Sequence, residues 1–167
     1  RNLLAQLNHL SATTDYSNPQ EVDVIEKIGA DLFRLLTEHA IDEEELVLAA
    51  LEQRCPGATM QNTAEHGEIE QQQARLENQF RNLLNSARKG AAVDALAAAF
   101  SFDVNRFQSA YLMHMLEEEE ETQRLLWKHF TDAELLDIRK QIIGRMPVDS
   151  QLLWYRYAAP AMSRQAR

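Results

Sequence analysis

Leucines at positions 3, 4, 7 and 10 recur at threes and fours, the spacing of a helix with one apolar side. The same period returns in Ile25, Ile28, Leu32 and Leu35 or Leu36, then in Ile69, Leu76 and Phe80, and again in Phe100, Val104, Phe107 and Tyr111. Turn formers separate these runs. Thr13 to Pro19 closes the first helix, Cys55-Pro56-Gly57 stops a long second one, and Lys89-Gly90 ends a third that Asn62 or Thr63 can cap. A short alanine-rich helix from Ala91 to Phe100 leads into a fourth that ends near His129, with Ser101-Phe102-Asp103 as either a break or a kink. Thr131 with Glu134 makes a capping box for a fifth helix, which ends at Gly144 to Pro147. A last amphipathic piece carries Leu152, Leu153, Trp154 and Tyr157. Strand patterns are absent from the sequence. The expected fold is all-α: one domain, an up-down-up-down four-helix bundle with short extra C-terminal helices, residues 131–167 packing on one end.

Two of the apolar seams are interrupted midway in the same manner. After Leu35 or Leu36 the second helix places His39 and then Glu43; after Tyr111 the fourth places His114 and then Glu118. Residues four apart stack on one helix face, so both members of each pair point inward. The third helix repeats the theme with His66 and Glu70. Burying these groups unpaired costs several kcal/mol per charge, about the amount a cation would offset. Mixed imidazole and carboxylate donors suit iron, manganese or zinc. Of the run Glu117 to Glu121, helical spacing turns Glu118 inward, with Glu121 as a second candidate. Tyr111, one turn before His114, reads first as a core tyrosine and second as a hydrogen-bond donor to a metal-bound ligand. His9 lies off its apolar stripe and His129 sits at a helix end, so both are expected at the surface.

Charge and composition narrow the function. Seventeen basic against 26 acidic side chains give a net charge of −9, which argues against a nucleic-acid partner. One cysteine, Cys55, allows no internal disulfide and fits a reducing compartment. No apolar run reaches membrane-spanning length and no signal peptide opens the chain, so a cytoplasmic protein without a membrane partner is expected. The chain starts inside an amphipathic pattern. Stepping the first seam backwards, and counting antiparallel from His39, both lead to a level a few residues before Arg1 as the expected place of a further ligand.

The ferritin-type Glu-x-x-His pattern fails, because Leu36, Thr63 and Tyr111 stand three before the three histidines. His39-Ala-Ile-Asp-Glu43, Glu65-His66 and His114-Met115-Leu116-Glu117-Glu118, with Trp127 and the Thr131 to Leu135 segment after them, instead resemble the hemerythrin-like (HHE) cation-binding family. The resemblance implies two irons, oxo- or hydroxo-bridged, with Glu43 and Glu118 as bridging carboxylates. His39, His66 and His114 would be terminal ligands, and Glu70 stands where oxygen-carrying members have a second histidine. Zinc or manganese is an alternative occupant. Dioxygen or nitric oxide is the implied small ligand, and the oligomeric state, a homodimer included, is left open. The rival functions are a structural or partner-binding bundle with a zinc-filled or vestigial site, and a di-iron peroxidase or oxidase.

Overall fold

A computed structural model describes residues 1–158, and the part of the C-terminal piece from 159 to 167 lies outside the described residues. The described chain is helical throughout, without strands. Helices α1 (Asn2–Thr13) and α2 (Pro19–Asp42) are followed by a π-helical segment, Glu43–Leu48, and by α3 (Ala49–Arg54). Next come α4 (Met60–Arg88) and α5 (Asp94–Glu117), a second π-helical segment, Glu118–Thr122, and α6 (Gln123–His129). Helices α7 (Asp132–Arg145) and α8 (Val148–Ala158) complete the described chain.

The chain divides into two compact units. The first combines Arg1–Arg34 with Ile69–Leu112. The predicted seams form much of its core: Leu3, Leu4, Leu7, Ile25, Leu76, Phe100 and Val104 are nearly or wholly removed from solvent, and Leu83, outside those seams, joins them. Burying an aliphatic side chain of this size contributes about 1.5–3 kcal/mol. Phe80 stacks on Phe100 at 4.8 Å and meets Phe33 edge-on at 6.2 Å. Gly29 permits this packing, because a Cβ there would stand 2.3 Å from the Phe80 ring. Ser101-Phe102-Asp103 neither breaks nor ends α5. Ser101 is tied to Ser11 by a 3.2 Å hydroxyl pair, and its carbonyl accepts from Asn105 at 2.8 Å. Gly90, at φ +70°, closes α4 in the left-handed conformation that favours glycine.

The second unit combines Leu35–Glu68 with the chain from Met113 onward. Its interior is more polar: beside Leu36, Leu48, Leu51 and Leu126, it buries Glu43, His66, His114, Thr122 and Ser150. Helix α4 begins at Met60, ahead of the expected Asn62 or Thr63 cap. The Glu52 carboxylate orders the preceding turn, accepting from the Gly57 amide at 2.6 Å and from the Thr59 hydroxyl at 2.7 Å, and the Thr63 amide donates to the Thr59 carbonyl at 3.0 Å. Asn62 instead donates to the Thr122 hydroxyl at 3.0 Å. The capping box of Thr131 and Glu134 is present in full. Among the described residues, no helix is long and apolar enough to cross a membrane.

Candidate metal centre

Both π-helical segments start on the carboxylate of a seam pair: Glu43 opens one and Glu118 the other. π-Helical turns are uncommon and recur at functional sites. A physical reason is visible here. On a regular helix consecutive side chains diverge by about 100°. The wider π turn reduces that angle, and Glu43 and Glu44 both reach His66, one on each ring nitrogen. Glu43 Oε2 lies 3.8 Å from His66 Nε2, and Glu44 Oε1 lies 3.2 Å from His66 Nδ1.

The second unit brings together five of the residues singled out by the sequence. His39 Nε2 stands 3.5 Å from Glu43 Oε2, and His114 Nε2 stands 2.8 Å from Glu118 Oε1, which His66 Nε2 approaches to 3.4 Å. The His66 and His114 rings meet edge to face at 4.8 Å. Two groups of three donors emerge: His66, His114 and Glu118 in one, His39, Glu43 and Glu118 in the other, with the donor atoms of each group within 4.8 Å of one another. Glu118 belongs to both. The two groups differ in access, for His66 and His114 are buried whereas the His39 side chain is 52% exposed.

The electrostatics of the cluster favour a cation. Burial, reinforced by the neighbouring Glu118 charge, pushes the Glu43 carboxyl up to about 8. Burial also opposes ionisation of Glu118, but hydrogen bonds with His114, His66 and Glu43 outweigh it and hold that carboxyl well below the usual range. Desolvation acts to lower His66 and His114 as well, yet their carboxylate neighbours win and both imidazoles are raised. His39 is lowered by the protein packed around it, against the pull of Glu118. One donor is left over: Glu43 Oε2 is buried without a hydrogen-bond partner while facing two imidazole nitrogens. An orphaned carboxylate oxygen among imidazoles is what a cation would satisfy, and the donor set fits one.

Sequence reasoning missed two contributors. Glu44 accepts at His66 Nδ1, and Glu65 lies 3.2 Å from His114 Nδ1. A carboxylate on Nδ1 fixes the tautomer and turns Nε2 inward, toward the shared Glu118. Their signal was adjacency: each directly neighbours a seam residue. Glu65→Gln is expected to keep the fold and weaken metal binding by about 10–100-fold, as read by competition with a chelator.

Other candidates lie elsewhere. Glu70 is exposed and its carboxylate is in neither donor group. Glu121, considered as a second inward carboxylate, is 68% exposed and pairs with Arg124 instead, whereas Thr122 beside it is the buried follower of Glu118 in this segment. Tyr111 is buried in the first unit, tilted against Phe107 at 5.8 Å. His9 is exposed, and His129 is half-buried with its carbonyl accepting from Arg54 at 2.6 Å.

Comparison with known proteins agrees with this chemistry. The hemerythrin HHE cation-binding domain matches residues 1–126. The chain is 26% identical over 134 residues to the F-box/LRR-repeat protein 5 of Xenopus laevis, a match over 80% of this chain and 19% of that protein. It therefore spans about a fifth of that relative's length. No solved structure matches. With three-quarters of its length matched and a histidine–glutamate cluster to go with the match, this chain belongs to the hemerythrin HHE cation-binding family.

Proposed function

We propose that the domain holds two iron ions and there binds or senses a small neutral ligand, dioxygen or nitric oxide. His39, Glu43 and Glu118 would hold one ion, and His66, His114 and Glu118 the other. The observation that carries this reading is the single carboxylate common to two three-donor groups. Iron bound there supplies an open coordination position and one-electron chemistry. The protein's own part is orientation and exclusion. Glu44 and Glu65 hold the Nδ1 protons of His66 and His114, leaving each Nε2 to donate its lone pair. Glu43, protonated at neutral pH without a cation, gives up its proton when one binds. Burial of His66 and His114 keeps bulk water from that half of the centre.

Elemental analysis after anaerobic iron loading tests the reading and should find about two irons per chain, as two donor groups require. After the loaded protein is oxidised in air, near-ultraviolet charge-transfer absorption separates ferric iron from zinc, which is spectroscopically silent. Protein that takes up no transition metal, or zinc alone, would overturn it.

A further inference from the structure

One cavity in the second unit, about 210 Å³ in volume, is lined by both His39 and Glu43. Its remaining wall includes Ile142 and Met146 of α7 and its following turn, and Trp154 of α8. These helices lie beyond the family match, which ends at residue 126. We propose that the α7–α8 hairpin is a selectivity wall for the His39 side of the centre, leaving a chamber that admits a neutral diatomic ligand and disfavours anions.

The chamber meets the accessible donor group, the one containing His39, and not the buried pair His66 and His114. A diatomic molecule occupies roughly the volume of a water, whose share of liquid is about 30 Å³, so the space is ample for one small guest. Its apolar side suits an uncharged molecule. Glu38 and Asp42 line the same chamber, so an anion would meet carboxylates on the way to His39. The hairpin is fastened on both flanks. Arg145 pairs with Glu45 in the first π-helical segment, and the Ser150 hydroxyl, fully buried, donates to Glu38 at 2.7 Å. Trp154 is thereby held against the segment that carries His39 and Glu43.

The proposal rests on the reading of the centre as a ligand-binding site, and its test has one arm that does not depend on metal. In metal-free protein, carbethoxylation of His39 by diethyl pyrocarbonate, a neutral reagent, is followed residue by residue by mass spectrometry. Met146→Trp, which fills the chamber, should slow His39 about tenfold, and Trp154→Ala, which opens it, should speed His39 severalfold. Exposed His9 reports reagent strength, and buried His66 reports an intact fold. In iron-loaded protein, Met146→Trp should slow nitric oxide association about tenfold, and Asp42→Asn should strengthen azide binding while leaving nitric oxide unchanged. Unchanged His39 reactivity in both Met146→Trp and Trp154→Ala, with His66 still protected, overturns the wall whatever the metal content. Equal responses of azide and nitric oxide to Asp42→Asn overturn its preference for neutral ligands. Failure to load metal, with the His39 rates as expected, sinks the reading of the centre and leaves the wall standing.

Discussion

Glu118→Ala is expected to abolish binding of both metal ions rather than of one. Glu118 is the carboxylate common to both donor groups, so its loss leaves two donors in each. Two imidazoles, or one imidazole and one carboxylate, hold a divalent ion far more weakly than three donors, and at least a tenfold loss of affinity at each position follows. The contrast is Glu119→Ala, at an exposed position one residue on, which should load like the native chain. Since Glu118 also pairs with the buried His66 and His114, its removal lowers stability, and circular dichroism must accompany the metal analysis. Glu118→Gln keeps the side-chain volume and a hydrogen-bond acceptor and should show the same metal loss with less unfolding. One ion retained in either variant would show that Glu118 is not shared.

The metal-free protein is expected to lose stability as pH rises from about 6 to 8, while the metal-loaded protein does not. The Glu43 carboxyl is pushed up to about 8 in the fold from an ordinary 4.5. Between those values the unfolded chain is ionised here and the folded chain keeps its proton, so stability falls with rising pH. His66 and His114, both raised from 6.5, act in the same direction. Their contribution is complete below that value and is lost as pH rises through their folded values. Glu118 works at the other end: its depressed value stabilises above about 4.5 and is lost on acidification. His39, lowered from 6.5, opposes the histidine trend, but its half-open ring limits its weight. A tenfold change in the affinity of one group for its proton is worth about 1.4 kcal/mol, so the fall amounts to a few kcal/mol and several degrees in Tm. A bound cation takes the place of the Glu43 proton, so affinity rises with pH and the gap between loaded and metal-free melts should widen. Melting curves from pH 5.5 to 8.0 with and without chelator read this directly. A gap that stays constant would mean that Glu43 carries no proton in the metal-free fold.

Periodicity made the seam positions of His39, Glu43, His66, His114 and Glu118 legible, because residues that interrupt an apolar stripe at helical spacing must face what the stripe faces. The helical character of the chain was legible for the same reason. Periodicity also explains what was missed. Glu44 and Glu65 sit about 100° off the seam on a regular helix, and only the π turn brings the first of them onto His66. Nothing in the residue pattern announces such a turn, whose cost is met by the contacts it permits. Glu70 was drawn in by its place four residues after a histidine, yet the chain solvates it, and α4 supplies Glu65 from the other side of His66. The expected caps, Asn62 and Thr63, put the start of α4 three or four residues late, because the turn before it is ordered by Glu52 of the preceding helix, which its local sequence does not announce. Trp154 read simply as part of an amphipathic stripe; its place beside His39 depends on contacts more than 100 residues apart in the chain.

Arg54 carries a consequence for how such chains diversify. Its guanidinium donates to the His129 carbonyl at the end of α6, pairs with Glu134 at 2.8 Å in the first turn of α7, and lies 4.2 Å over the Phe130 ring. One side chain from the family portion thus fastens the joint from which α7 and α8 depart, and Glu45 fastens their far side through Arg145. The hairpin is therefore not a portable module. Transplanted onto a relative that lacks an arginine and an acid at these two places, it would arrive without its anchors.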